Sequence, residues 1–329
     1  MRTLFVVILT AAAFLAGSAN AADVKIGYQL TYTPVKAQFD AIKKGALGKS
    51  VEFVQFNSGG DVINAMASGS IDISLNGSSP TAAGYSRGVD LQVVYIYDNI
   101  NNAEALVVRN GSGIVAPQDL KGKKIAVPFG STTHFHMMFA LEQFGISPRD
   151  LSVIDMSPPD MAAAWERGDI DGGFVWDPAL GRMKKDGHVL ISSGELSNWG
   201  KATFDAMVAR SAFAKENPDF MCKYIKMVAA ADADYRANPA SYGPGTEKAK
   251  AIAKVVGGDH EQVGGVLALY DFPTLEQQVS ATWLGGGVAN ALRATSEFLV
   301  EQGKIDRVLD SYKDSADATY AKMALDGKC

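Results

Sequence analysis

Residues 128–136 read Pro-Phe-Gly-Ser-Thr-Thr-His-Phe-His and gather three hydroxyls and two imidazoles within six positions. Three chemistries compete for such a cluster. A serine nucleophile needs a base in hydrogen-bond reach and an acid to orient that base. His134 lies only one turn beyond Ser131, and the chain has no G-x-S-x-G elbow to present the serine. A zinc pair on a helix is spaced i, i+4, whereas His134 and His136 are two apart and diverge by about 200° around a helix. The third option is an anion cradle, in which hydroxyls and unpaired backbone N–H groups at a helix start sit under a positive macrodipole.

A second stretch favours the cradle. Asn76-Gly77-Ser78-Ser79-Pro80 also reads as a helix start, with Ser79 as a cap and Pro80 in the first turn. Neither loop contains lysine or arginine, so an anion there would be held by neutral donors. Two carboxylates raise the complementary question. Glu104 opens the apolar run Glu104-Ala105-Leu106-Val107-Val108, and Asp205 lies among Phe204, Ala206 and Met207. An ionised carboxylate in such a strand is costly unless a cation or donors meet it, so each has either a structural partner or a positively charged ligand. Trp176 could close the side of a pocket or fill a core. Tyr28 and Tyr32 flank Gln29 in a further loop. Together these residues describe a small zwitterion, with its anion on hydroxyls and amides and its cation on a carboxylate.

The elements that must position these groups show themselves in an internal repeat. With an offset of 99, residues 24–34 (VKIGYQLTYTP) lie over 123–133 (KKIAVPFGSTT), and residues 57–73 lie over 156–172 without a gap. Asp61 meets Asp160, Ala65 meets Ala164, Gly69 meets Gly168, Ile71 meets Ile170 and Asp72 meets Asp171. Each copy predicts strand, loop, helix, strand, helix and strand: 24–30, 34–44, 51–56, 61–68 and 71–75 in the first, and 124–129, 132–144, 151–155, 160–167 and 170–176 in the second. Alternating strands and helices imply parallel sheets covered on both faces. The expected fold is α/β, with two doubly wound lobes joined by two crossover strands at 103–109 and 204–210, and amphipathic helices after 211 packed on lobe one. Residues 22–107 would form the first part of lobe one, 108–207 lobe two, and 208–329 the rest of lobe one. In open sheets of this kind ligands bind beyond the carboxyl ends of the strands, and a double crossover is the layout of a clamshell that closes on a ligand.

Whole-chain properties narrow the class. Arg2, the apolar run 4–15 and Ala19-Asn20-Ala21 have the form of a secretory leader cleaved after about Ala21, so residues 1–21 are expected to be removed and the rest exported. A net charge of −5 is the wrong balance for binding nucleic acid. No stretch approaches the roughly 20 apolar residues of a membrane span. The two cysteines, Cys222 and Cys329, could pair in an oxidising compartment and tie the tail to the body.

Several of these segments carry a resemblance. Residues 58–82 (SGGDVINAMASGSIDISLNGSSPTA), 104–108 (EALVV), 125–134 (IAVPFGSTTH), 163–179 (AAWERGDIDGGFVWDPA) and Trp199-Gly200 followed by Asp205 are similar to the periplasmic sulfonate-binding proteins of bacterial ABC importers. Asp205 leans towards the taurine-binding members. The likeness runs from about residue 24 to 214 and continues more loosely beyond. It implies a type II periplasmic binding fold and a monomer without cofactor, metal or catalytic residues, which delivers its ligand to a membrane permease with a cytoplasmic ATPase. Carried over by position, Ser79, Thr132 and Thr133 would hold the sulfonate, Trp176 would cover the ethylene carbons and Asp205 would meet the ammonium. Gln29 and Glu104 join the set by looser correspondence. Gly130 stands where a larger residue is expected, and the family does not require the cysteine pair. Binders of other aliphatic sulfonates or zwitterions, and an enzyme on the same fold such as a thiamin-pyrimidine synthase-like protein, are the competing readings.

Overall fold

The computed structural model describes residues 22–329, and the leader expected at 1–21 lies outside the described residues. The strands, in chain order, are β1 (Val24–Tyr28), β2 (Val51–Gln55), β3 (Ile73–Gly77), β4 (Gln92–Asn99), β5 (Glu104–Arg109), β6 (Lys124–Val127), β7 (Ser152–Asp155), β8 (Gly172–Trp176), β9 (Gly187–Ser192) and β10 (Phe204–Ala209). They form two five-stranded sheets, ordered β2-β1-β3-β10-β4 and β7-β6-β8-β5-β9. The two orders match when each copy of the repeat is overlaid on the other.

The shared residues of the repeat have the same jobs in both lobes. Ser58 and Ser157 cap their helices by accepting the N–H of Asp61 and Asp160. Gly69 and Gly168 end those helices at φ 70° and 77°, a left-handed conformation that glycine adopts without a Cβ penalty. Asp72 Oδ2 then accepts the N–H of Lys25, and Asp171 Oδ2 that of Lys124, which locks the third strand of each copy onto the first. The offset of 99 holds in that pairing, with Ile26 opposite Ile73 and Ile125 opposite Gly172. It slips by one residue at the outer strand, where Lys25 faces Glu52 but Lys124 faces Ser152.

Two expectations need correction. The sheets are mixed: β10 runs antiparallel to β3 and β4, and β5 antiparallel to β8 and β9. The strands expected as crossovers are full sheet members, so residues 107 and 207 fall inside β5 and β10. The chain changes sheets in the short segments before them, at 100–103 and 199–203.

Each lobe has its own apolar core. Val24, Ile26, Ile73, Val93 and Val208 lie in one, which also takes in Tyr224, Leu292 and Tyr320 from the C-terminal helices. Leu106, Ile125, Phe135, Phe139 and Phe174 lie in the other. The C-terminal helices do not stay on lobe one alone: Phe298, Leu299 and Ile305, at and beyond the end of helix Gly287–Glu301, join the second core. Cys222 and Cys329 form a disulfide that ties the last residue to the long helix Pro218–Ala237. Among the described residues no helix is long and apolar enough to cross a membrane.

Candidate functional site

A narrow cavity of about 10 Å³ lies between the sheets, at the carboxyl ends of the parallel strands. The first half contributes Gln29, Thr31, Gly77 and Asp205, with Tyr270 from the C-terminal part; the second contributes Glu104, Ser131, Thr132 and Trp176. Five of the seven residues expected from the sequence therefore meet here: Gln29, Glu104, Thr132, Trp176 and Asp205. Among the described residues no lysine or arginine lines the cavity.

The helix Thr132–Gln143 begins at the cavity wall, with Ser131 as its cap. Ser131 Oγ accepts His134 N–H at 3.1 Å and donates its one hydrogen to Pro128 O at 2.6 Å. Thr133 Oγ1 lies 2.7 Å from Ser131 Oγ, and with the serine hydrogen already placed on a carbonyl, the threonine is the donor. Thr133 itself does not line the cavity. Ser79 is also displaced from its expected role. It lines a neighbouring crevice with His134 and Lys304, while the adjacent Ser78 accepts the N–H of Phe204. What helix Ser78–Ser86 offers the cavity is its N-terminus, beside Gly77 and Pro80.

The histidines of the opening cluster separate, as their spacing requires. His134 Nδ1 accepts the N–H of Gly130 and its ring stacks on Phe129 at 4.5 Å. His136 is buried on the opposite side between Ser193 Oγ and Lys201 O. Neither imidazole reaches Ser131 as a base.

The carboxylates are held in unusual states. Glu104 Oε1 accepts from Thr132 Oγ1, and Oε2 lies 3.3 Å from Ser193 Oγ. Burial pushes the Glu104 acid up to about 8 against the opposing effect of the Thr132 hydrogen bond. Asp205 is pushed up to about 7, again by burial, with Lys36 pulling the other way. Asp98, opposite Asp205 in the sheet register, is fully buried with both carboxylate oxygens unpartnered. Burial and then the neighbouring Asp205 hold it well above the usual carboxylate range, with Lys36 acting the other way.

Tyr270 lines the cavity, and Lys36 and Asp98 lie behind its wall, beside Gln29 and Asp205; sequence reasoning missed all three. Lys36 is 2% exposed, and its ammonium donates to Gln29 O at 2.8 Å and to Thr31 O, which pins the loop that carries Gln29 into the cavity. Burial brings Lys36 down to about 7 while Asp205 and Asp98 raise it. The signal available in the sequence was a single lysine after Pro34 and Val35, seven residues beyond Gln29. The Gln29 amide itself is loosely held, its two contacts both being 3.5 Å, and is free for a better partner. Trp176 faces Glu104 across the β5–β8 pair. Its indole N–H is buried without an acceptor, and beyond it lies an apolar cavity of about 190 Å³ bordered by Leu30, Pro158 and Val256.

Comparison with known proteins follows from this geometry. The chain is 37% identical over 316 residues to the taurine-binding periplasmic protein of Escherichia coli K12, covering 96% of this chain and 98% of that protein. Its fold resembles that of the alkanesulfonate-binding protein SsuA from Xanthomonas axonopodis pv. citri bound to MOPS, with a TM-score of 0.74 and 23% identity, over 89% of this chain and 97% of the other. It also resembles the periplasmic aliphatic sulphonate binding protein SsuA from Escherichia coli, with a TM-score of 0.70 and 23% identity, over 88% and 91%. Two mixed sheets facing each other across a cleft are thus the architecture of periplasmic binding proteins. The NMT1/THI5-like family model matches residues 46–241, which include both copies of the capped helices, Glu104, Thr132, Trp176 and Asp205, and the chain belongs to that family.

Proposed function

We propose that the protein captures taurine, 2-aminoethanesulfonate, in the periplasm and delivers it to an ABC permease driven by a cytoplasmic ATPase. It acts as a monomer without catalysis, after loss of its leader near Ala21. The observation that carries this reading is a cavity whose lining, among the described residues, has no lysine or arginine and which is bounded by two helix starts and two buried carboxyls. A sulfonate is anionic at any ordinary pH and offers three acceptor oxygens, which suits N–H groups at the two helix starts, Thr132 among them, while the Thr132 hydroxyl gives its one hydrogen to Glu104. Asp205, and with it Glu104, would meet the ammonium. Trp176 would cover the two carbons between, and Gln29 would donate its amide. Ser79 and Thr133 would contribute through their backbone N–H groups.

The 37% identity to a taurine-binding relative supports the same ligand. A second reading, a binder of longer alkanesulfonates, draws on the apolar cavity behind Trp176. An enzyme is disfavoured because Ser131 gives its hydrogen to Pro128 O and no imidazole faces it. Calorimetry on the mature protein with taurine, butanesulfonate, β-alanine and glycine betaine is the test. Taurine should bind tightest, and butanesulfonate, which leaves Asp205 unpaired, roughly ten-fold or more weaker, as one unmet buried polar group costs about 1–3 kcal/mol. Taurine failing to outbind butanesulfonate would remove this assignment.

A further inference from the structure

Glu104 is the cavity end of a hydrogen-bonded row that leads away from the ligand. Its Oε2 lies 3.3 Å from Ser193 Oγ, Ser193 Oγ lies 2.7 Å from His136 Nδ1, and His136 Nε2 lies 2.6 Å from Lys201 O. Ser193 and His136 are completely buried. A carbonyl oxygen only accepts, so His136 Nε2 carries a hydrogen. In a neutral ring Nδ1 is then a bare acceptor, and Ser193 gives its single hydrogen to it at the shorter of its two contacts. Nothing remains for Ser193 to donate to Glu104. The 3.3 Å contact is a hydrogen bond in that arrangement only when Glu104 supplies the hydrogen, while Thr132 donates to its other oxygen.

A second arrangement uses the same atoms and the same number of protons. With His136 as an imidazolium, Nδ1–H donates to Ser193, and Ser193 donates to an ionised Glu104. We propose that Glu104, Ser193 and His136 form a proton wire that keeps Glu104 a carboxylic acid in the empty cleft and passes its proton to His136 when a cation settles beside it. The Glu104 Oε2–H bond breaks as its proton moves to Ser193 Oγ, and the hydrogen of Ser193 moves to His136 Nδ1. No proton enters or leaves, and the pair changes from neutral–neutral to carboxylate–imidazolium.

The surroundings support the neutral resting state. Burial brings His136 down to about 4 and Glu104 up to about 8. The titratable groups that face Glu104 are Asp205, Asp98 and Tyr270, and of these Asp205 opposes a further negative charge on it. On the His136 side, the Lys201 ammonium lies over the Phe139 and Phe298 rings. The wire rests on the reading that the ligand brings an ammonium to this end of the cavity. It would give the site a carboxylate only when a positive charge is present to meet it, which penalises amine-free ligands.

The test is infrared and histidine-nitrogen NMR spectroscopy on the mature protein at neutral pH, with Glu104→Gln to assign the acid band. The empty protein should show a protonated Glu104 and a neutral His136 with hydrogen on Nε2. Saturation with taurine should abolish the acid band and protonate His136 Nδ1, whereas ethanesulfonate should leave both unchanged. In Ser193→Ala the route is cut, so taurine binding should release more protons to buffer than in the wild type, read as a steeper dependence of binding heat on buffer ionisation. An ionised Glu104 in the empty protein, a neutral His136 beside bound taurine, or equal proton release in Ser193→Ala would overturn the wire. Absence of any heat with taurine would instead overturn the ligand assignment, and the empty-protein spectra would still decide the wire.

Discussion

Asp205 and Glu104 are carboxyls that folding alone does not favour in ionised form. Each is buried, and each is pushed up, to about 7 and about 8. A carboxyl whose folded pKa is raised contributes its full stability below its unfolded pKa, near 4, and loses it as the pH rises towards the folded value. Glu104→Gln cannot ionise, so it should stabilise the empty protein increasingly between about pH 4 and pH 8. Melting curves should show the variant about 2 °C or more above wild type at pH 8 and a smaller gap at pH 5; a gap that shrinks with rising pH would contradict the burial argument. Binding should respond in the opposite sense. Asp205→Ala should abolish taurine binding while leaving the fold intact, and Thr132→Ala should weaken it about ten-fold or more by removing the hydrogen bond that holds Glu104, worth about 1.5–3 kcal/mol to a charged partner. These residues were legible because a carboxylate in an apolar strand and hydroxyls before a helix are each anomalous on their own. Lys36 was not, since its burial depends on loop 29–33 folding back over its ammonium, which no local pattern announces. Thr133 and Ser79 show the converse limit: residue type identified a helix start, while the fold sends the Thr133 hydroxyl to Ser131 Oγ and places Ser79 on the neighbouring crevice.

At the scale of elements, repeated residues carried the most information. Asp72 and Asp171 recur because each pins the first strand to the third, and Gly69 and Gly168 because each ends a helix in a left-handed turn. Strand direction was not legible, because β5 and β10 are apolar runs whose hydrophobic pattern is the same whichever way they run. Buried central strands read as continuous apolar stretches in either orientation. Nor did the repeat foretell that helix Gly287–Glu301 reaches the second core through Phe298 and Leu299, since it has no counterpart in the first copy. The cysteines were legible as a pair but not as a contact. Their bond joins residues 107 apart and fixes the chain end against helix Pro218–Ala237. A closed loop of that size restricts the unfolded chain, so replacing both cysteines by serine should cost roughly 2–4 kcal/mol. Thermal or denaturant unfolding of the double variant checks this, and taurine affinity should stay within about two-fold, because Cys222 lies in the first core away from the cavity.

For the molecule as a whole, function depends on how closely the two halves approach, and Gly77 measures that distance. It ends β3 in one half, and a Cβ built on it would lie 2.8 Å from Thr132 Cγ2 in the other, while Asp205 Oδ1 would stay at an ordinary 3.6 Å. Its backbone has φ −67° and ψ 154°, a conformation open to any residue, so alanine brings no strain within its own half. The added methyl should therefore leave both cores intact and wedge the halves apart at Thr132. Thr132 also carries the hydrogen bond to Glu104, so moving it disturbs the anion end and the cation end of the cavity together. Gly77→Ala should lower taurine affinity about ten-fold or more, equivalent to at least ~1.4 kcal/mol. Small-angle scattering with saturating taurine should show a smaller contraction than in the wild type. Because Gly77 donates no side chain to the ligand, wild-type affinity together with full contraction would mean that the halves meet elsewhere, and that the Thr132 helix start does not close against β3 to complete the site.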